Sequence, residues 1–356
     1  MSNFFPIYSW VWMHVFFMCI ILCACSKPDE VLDAGSVGDW EDGVFVVNEG
    51  GFNHQNASLG WYDRKSGVYL DKVYSKVNES DLGDIFQSLN ITPDVILLVV
   101  NNSDKVEVVD RQSLKNKYTL PSIKSPRYIL PIDDAITYIS SLTEKFITIW
   151  DYKANELIGR ISFPGWSEHM LRYEDWVIVS SPSFYLGDPT EHLYVIDARS
   201  HRLVDSIRVL TSPESMVMDK EGYLWVYCQG HFNSDLKGGL ARVDISKGKM
   251  IDSILFKEVS PGFATSLNIN PKKDSLYFLR RDVFAMSTSD NKLPEKPVVE
   301  ANGRTFYALG IAPTGQIWTG DAVDFVQNGV VSIYSQKGKL IKEFRVGVNP
   351  SEFYFR

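Results

Sequence analysis

The sequence predicts an all-β fold, a seven-bladed β-propeller closed by pairing of the N- and C-terminal strands in one blade. Three observations support this prediction. A strand-and-turn pattern recurs with a mean spacing of about 45 residues, the length of one four-stranded blade. Glycine and aspartate occupy the turns that follow it, and the two ends of the pattern are complementary halves of one repeat. The propeller is expected to cover residues 43–356.

The repeat is clearest in an apolar strand that ends in an acidic or polar residue. Successive end residues are separated by 47, 41, 46, 47, 43 and 47 positions. The turns carry glycine, as in Ser246-Lys247-Gly248, because such hairpins need positive φ, and an aspartate side chain can close the turn. The aspartates are therefore predicted to be structural. The seven copies end at Asp63, Asp110, Asp151, Asp197, Asp244, Ser287 and Tyr334.

A second pattern recurs between these copies. A polar or proline-containing entry leads into a short apolar strand, a polar turn and a stronger strand, as at 125–129 before 136–140 and at 212–217 before 223–228. These segments are typical of the first and second strands of a blade.

The two ends of the pattern complete the last blade. Residues 43–49 are a second-strand copy without a first strand, and residues 350–355 are a first-strand copy without a second. Pairing them closes the ring and removes two exposed sheet edges.

The composition of the chain argues against two classes of protein, disordered chains and nucleic-acid binders. The chain has 356 residues, 45% of them hydrophobic and 13% aromatic, which excludes a disordered chain. The formal net charge is −8, from 36 Lys and Arg against 44 Asp and Glu, and no basic run is present. A nucleic-acid partner is not expected, because phosphate contacts need a concentrated basic surface.

The first 24 residues are predicted to be a lipoprotein signal peptide. They contain no Asp, Glu, Lys or Arg, and their apolar stretch at 15–24 is too short to span a bilayer. Leu22-Cys23-Ala24-Cys25 resembles a bacterial lipobox, which implies cleavage before Cys25 and lipidation of its sulfur. Residues 25–42 would then form a lipidated tether, and the acidic stretch after Cys25 resembles a surface-export signal. The expected location is the outer membrane with the propeller at the cell surface. A periplasm-facing lipoprotein and an uncleaved membrane anchor are the alternatives.

The signal-peptide interpretation predicts a role for each of the four cysteines. Cys19 and Cys23 leave with the signal peptide, and Cys25 carries lipid. Only Cys228 stays in the folded part, inside an apolar run, so we expect a buried thiol and no intramolecular disulfide there.

Segments 44–52, 82–88 and 99–110 resemble the YncE-like β-propeller lipoproteins of gut Bacteroides, nearest to the BtuG-type surface proteins. That resemblance extends over nearly the whole mature chain. It implies capture of cobalamin or another corrinoid and transfer to a TonB-dependent outer-membrane transporter. Cobalamin would be a ligand, and no catalytic cofactor is expected.

One face of the ring is the expected binding surface, because first-strand entries and second-to-third-strand loops lie on the same face of a propeller. Four of the loops are long, at 49–57, 181–192, 229–239 and 320–329. Asn101 and Glu352 also fall on this face. The candidate ligand-binding residues are Asn48, Glu49, Phe52, His54, Gln87, Asn102, Arg127, Trp166, His169, Tyr185, Glu214, Gln229, His231, Phe232, Arg280, Phe306, Tyr307 and Asp321.

These aromatic and amide-bearing loops suit a large, partly apolar, amide-rich ligand. A corrinoid fits that description, and so would an oligosaccharide stacked on Trp166, Tyr185 or Phe232. Haem and a scaffold that binds only a partner protein are further alternatives.

Enzymatic and metal-binding motifs are missing from the sequence. The histidines show no HxH or HExxH spacing, and no CxxC, GxSxG, Walker or GxGxxG motif is present, so neither a metal site nor an enzyme is predicted. The enzymatic alternative is a cation-dependent hydrolase or lactonase in which Glu49, Asn102, Glu214 and Asp321 converge on an axial cation.

Overall fold

The computed structural model describes residues 40–183, 188–231, 234–258 and 265–356. Its strands form seven antiparallel sheets arranged as the blades of a ring, which confirms the predicted seven-bladed propeller. In chain order the strands are β1 Gly43–Asn48, β2 Ser58–Asp63, β3 Tyr69–Leu70, β4 Phe86–Ile91, β5 Val95–Val100, β6 Lys105–Asp110, β7 Asn116–Pro121, β8 Pro126–Pro131, β9 Ile136–Ser141, β10 Phe146–Asp151, β11 Glu156–Ser162, β12 Met170–Tyr173, β13 Trp176–Ser180, β14 His192–Asp197, β15 Arg202–Arg208, β16 Pro213–Met218, β17 Leu224–His231, β18 Leu236–Asp244, β19 Lys249–Leu255, β20 Thr265–Ile269, β21 Ser275–Arg280, β22 Asp282–Ser287, β23 Phe306–Ile311, β24 Ile317–Asp321, β25 Asn328–Tyr334, β26 Leu340–Val348 and β27 Pro350–Phe355.

Six blades have four strands and one has three. Five follow chain order, as β4 to β7, β8 to β11, β12 to β15, β16 to β19 and β23 to β26. The three-stranded blade runs from β20 to β22, and a single bridge from Val283 to Val299 extends its outer edge. A short helix, α1 Val73–Asn78, follows β3, and in the described part of the chain no helix is long and apolar enough to cross a membrane.

The predicted turn aspartates close the turns after the third strand of their blades. The carboxylate of Asp151 accepts hydrogen bonds from the backbone N–H groups of Lys153 and Ala154, at 2.9 and 2.8 Å. Asp110 accepts from the N–H of Ser113 at 2.9 Å in the equivalent turn. Their role is therefore structural, as the sequence predicted.

The seventh blade, in the order β27-β1-β2-β3, joins the two ends of the described chain. Val46 pairs with Phe353, and the backbone N–H of Arg356 donates to the carbonyl of Gly43 at 2.9 Å. The rings of Phe353 and Phe355 pack edge-on against Trp318 of the neighbouring blade, at centroid distances of 5.6 and 5.5 Å. This blade closes the ring as predicted.

The core lies between adjacent blades. Cys228 is fully buried in one such apolar cluster with Leu224 and Val226, and burial raises the pKa of its thiol well above the usual range. One predicted loop differs in structure: β17 continues to His231 and β18 begins at Leu236, so much of 229–239 is an extended hairpin.

Candidate functional site

The innermost strands of the seven blades surround a polar cavity on the axis of the ring. These strands are β27, β4, β8, β12, β16, β20 and β23, and each hydrogen-bonds to a neighbouring strand on one side only. The cavity has a volume of about 290 Å³, and we call it the central cavity. It is lined by Glu49, Gln87, Arg127, Tyr128, Glu168, His169, Glu214, Ser215, Met216, Ser266, Leu267, Asn268, Tyr307, Leu309, Ser351, Glu352, Phe353 and Tyr354.

A buried ion pair lies at the centre of this lining. The Arg127 guanidinium donates to both carboxylate oxygens of Glu168, with N–O distances between 2.6 and 3.1 Å, and it also donates to the side-chain oxygen of Gln87. Burial by itself would lower the pKa of Arg127, but the negative charge of Glu168 outweighs it and holds that pKa above its usual range. Trp166 donates its indole N–H to Glu168, and its ring centroid lies 5.8 Å from the guanidinium carbon. The bidentate pair fixes the position of the one guanidinium in the lining.

Three further carboxyl groups border the cavity with raised pKa values. Burial raises the pKa of Glu49 to about 7, although its Oε2 accepts a 2.9 Å hydrogen bond from the hydroxyl of Tyr307. Burial likewise raises the pKa of Glu352 to about 7, against a hydrogen bond from Tyr354. Burial and the nearby charge of Glu168 raise the pKa of Glu214 to about 8. These groups therefore change charge close to neutral pH.

His169 completes the polar lining as a neutral imidazole. Burial lowers its pKa to about 4, and its ring packs on that of Tyr128 at a centroid distance of 4.0 Å. Arg127 is thus the only cation among the described residues that line the cavity. The carboxyl oxygens give the cavity a surplus of hydrogen-bond acceptors, which suits a ligand group that brings N–H or O–H donors. Among the described residues, no group of three or more His, Cys, Asp or Glu could hold a metal ion.

Six of the residues proposed from the sequence meet in the central cavity. They come from different blades and were selected as strand entries and loop residues on one face. They are Glu49, Gln87, Arg127, His169, Glu214 and Tyr307.

Four other candidates are not part of the lining of the cavity. Phe52 and His54 are exposed in the loop after β1, with Phe52 66% exposed. Asn102 donates to the carboxylate of Asp84 at 2.6 Å, and Trp166 reaches the site through Glu168.

The remaining candidates have structural partners. Asn48 is fully buried and donates to Ser58 at 3.1 Å. Phe306 belongs to an interblade core, and Asp321 accepts from the backbone N–H of Thr305 at 2.9 Å. His231 contacts Ser234 at 2.8 Å, Arg280 lies over the ring of Phe256 at 4.0 Å, and the backbone N–H of Gln229 donates to Ser212 at 2.9 Å. Tyr185, Phe232 and Cys25 lie outside the described residues.

Glu168, Tyr128 and Asn268 also line the cavity and are not among the candidate residues proposed from the sequence. Glu168 lies one residue before His169, at the end of an irregular entry segment that precedes β12. An acidic residue directly beside the selected His169 was the available signal. Tyr128 follows Arg127 on β8, whose unpaired edge borders the channel, so two successive residues reach the lining.

A larger cavity of about 750 Å³ lies among turns at the opposite ends of the strands. Four of its charged groups form two pairs: Arg111 binds Glu41 at 3.1 Å and Lys153 lies 4.0 Å from Asp94. This cavity therefore lacks the converging acceptors of the central one.

The raised pKa values predict a pH effect on stability. A carboxyl whose pKa is higher in the folded chain contributes stability below its unfolded value, near 4.5, and loses it as pH rises through the folded value, about 8 for Glu214. We therefore expect Glu214→Gln to raise the melting temperature by about 2–5 °C at pH values near 9 and to change it little near pH 5. Thermal denaturation of both proteins across this range measures the difference. The exposed Glu156→Gln is the control, and an equal effect of the two variants at both pH values would contradict the burial of Glu214.

The fold is shared with solved structures of low sequence identity. A quinonprotein alcohol dehydrogenase-like protein of Bacteroides thetaiotaomicron, BT1487, has 13% identity, covers 89% of this chain and 79% of its own, and gives a TM-score of 0.70. A putative 6-phosphogluconolactonase of Bacteroides fragilis, BF1038, has 13% identity, 89% and 98% coverage and a TM-score of 0.63. The WD40 β-propeller domain of Doa1 gives a TM-score of 0.59 at 13% identity, with 83% and 90% coverage. At this identity the likeness establishes the fold alone.

The amino-acid sequence matches the model of one protein family. No curated protein matches the chain. The family model described as "Domain of unknown function (DUF5074)" matches residues 42–355.

Proposed function

This chain belongs to the DUF5074 family, and we propose that it is a ligand-binding propeller that holds cobalamin or another corrinoid over the central cavity. The observation that carries the proposal is the convergence of four carboxyl groups, one guanidinium and several hydroxyl and amide groups on the axis of a rigid ring. A site assembled in advance on a rigid scaffold binds with little ordering cost.

The size of the cavity determines how such a ligand would bind. A volume of about 290 Å³ lies at the lower end of small-molecule pockets and is too small for a whole corrinoid. We therefore propose that the macrocycle lies across the face of the ring and that one of its amide side chains enters the cavity. The N–H groups of that amide would donate to the carboxyl oxygens of Glu49, Glu214 or Glu352. Above about pH 8 these carboxyls are charged, and each hydrogen bond to a charged group then contributes about 1.5–3 kcal/mol.

The cellular setting is part of the same proposal. The lipobox at Leu22–Cys25 supports attachment of the mature chain to the outer membrane through lipid on Cys25. The resemblance to YncE-like and BtuG-type lipoproteins supports a surface location and transfer of the ligand to a TonB-dependent transporter.

The four residues of the hydrolase alternative are distributed differently in the structure. Glu49 and Glu214 line the central cavity, whereas the Asp321 carboxylate accepts from the backbone of Thr305 and Val323, both at 2.9 Å. Asn102 binds Asp84 instead. The proposal therefore does not include cation-dependent hydrolysis.

Calorimetric titration of the purified protein with cobalamin, cobinamide and haem tests the function. We expect saturable heat and a raised melting temperature with at least one corrinoid, because the bound ligand stabilises the folded state. Absence of both effects with every corrinoid would contradict the corrinoid proposal. Stabilisation by oligosaccharides alone would assign the site to the saccharide alternative.

A further inference from the structure

Exposed apolar side chains are concentrated in the loop between β24 and β25, on the face of the ring that carries the central cavity. Val323 is 41% exposed, Phe325 is 42% exposed and Val326 is 73% exposed, all within 322–327. We call this segment the apolar loop. Grouped apolar side chains on a protein surface mark an interaction site more often than single ones do.

Hydrogen bonds hold the apolar loop in one conformation. The carboxylate of Asp321 accepts from the N–H of Val323 at 2.9 Å, and that of Asp324 accepts from the N–H groups of Val326 and Gln327 at 3.0 and 2.8 Å. Val323 and Phe325 have φ values of 58° and 64°, a backbone region that a β-branched or bulky residue rarely adopts. These two side chains are thus held exposed although their residue types rarely adopt this backbone conformation.

The apolar loop is connected directly to the central cavity. The ring of Phe325 packs edge-on against that of Tyr307, with centroids 5.6 Å apart and planes at 89°. Tyr307 lines the cavity and donates its hydroxyl to Glu49 at 2.9 Å. Phe325 is therefore linked through Tyr307 to the carboxyl group of Glu49.

We infer that Phe325 and the apolar loop are specificity-determining and bind an apolar face of the ligand while its donor group enters the central cavity. The ligand class is thereby a molecule with a broad apolar face and an N–H donor at its edge. This inference rests on the proposed function, because it concerns the same site. It selects ring-bearing ligands over wholly polar ones such as a small amine or a simple saccharide.

The test compares Phe325→Ala with the unchanged protein, using the whole chain. We expect Phe325→Ala to weaken corrinoid binding about tenfold, the effect typical of losing one well-packed aromatic contact. Ile341→Ala is the control and should leave corrinoid binding unchanged, since Ile341 is 54% exposed on the outer strand β26. Melting temperatures establish that each variant folds.

A pair of simple probes separates this inference from the corrinoid proposal. Tryptamine has an apolar ring and an ammonium group, whereas ethylamine has the ammonium group alone. We expect tryptamine to bind more tightly by saturation-transfer NMR, and Phe325→Ala to remove that preference. If no corrinoid binds but this preference is present, the ligand class stands and the corrinoid assignment fails. The inference is overturned if corrinoids bind with equal affinity to Phe325→Ala and to the unchanged protein. It is also overturned if the unchanged protein binds tryptamine no more tightly than ethylamine.

Discussion

Truncation after Val346 is expected to abolish cooperative folding. It removes β27, which pairs with β1 and supplies the Phe353 and Phe355 rings that cover Trp318. Losing one large buried aromatic contact costs about 3–5 kcal/mol, and a whole domain is stable by only about 5–15 kcal/mol. The deletion also opens the ring and exposes the edge of β1 that pairs with β27. Urea denaturation followed by tryptophan fluorescence measures the loss.

A circular permutant provides the control for this truncation. Joining residue 356 to residue 40 through a short linker and opening the chain at the exposed turn 153–155 keeps every strand. We expect this permutant to unfold cooperatively with nearly unchanged stability. A truncated chain as stable as the intact one would contradict closure of the ring by β27.

Arg127→Met is expected to lower the free energy of unfolding by about 3–5 kcal/mol, because it leaves the buried Glu168 carboxylate without its partner. The side chain of Glu168 is 3% exposed and that of Arg127 is 19% exposed, so water solvates the unpaired Glu168 carboxylate little. Chemical denaturation at neutral pH measures the change.

The double variant Arg127→Met/Glu168→Gln tests the cause of that loss. It removes the unpaired charge, so it should recover much of the stability lost in Arg127→Met, and the two substitutions should be strongly non-additive. A double variant as unstable as Arg127→Met would show that the guanidinium acts through packing and not through its charge.

The blades were predictable from the sequence because each repeat ends in a local turn with its own chemistry. Asp110 and Asp151 bind backbone N–H groups two or three residues ahead, so the turn and its spacing are visible without tertiary information. The closing blade was predictable for a related reason. The pattern begins with a second strand that has no first strand and ends with a first strand that has no second, so the two are expected to pair. The outer edge of the β20 to β22 blade was not, because a single bridge at Val299 replaces a regular strand there.

Residues of the central cavity could be predicted from the sequence only where their position within the repeat places them at the entry of an innermost strand. Arg127, Glu214 and Tyr307 come at strand entries, which the period locates to within a residue or two. Glu168 follows an irregular segment, so its place could not be read from the period. Phe325 is exposed because of a left-handed backbone conformation and because backbone N–H groups of the loop donate to Asp321 and Asp324, which no spacing in the sequence reveals.

The most direct test of a ligand site on the axis is calorimetric titration of cobinamide into the unchanged protein and into Glu49→Gln/Glu214→Gln. Glutamine has nearly the shape of glutamate, so the substitutions leave the cavity its size, remove the negative charges and replace one acceptor oxygen of each group with an N–H donor. We expect saturable binding to the unchanged protein. At pH values near 9, where both carboxyls are charged, we expect affinity at least about tenfold weaker for the variant, because each charged hydrogen bond contributes about 1.5–3 kcal/mol. Equal affinity of the two proteins, or no binding to either, would contradict the assignment of the central cavity as the binding site.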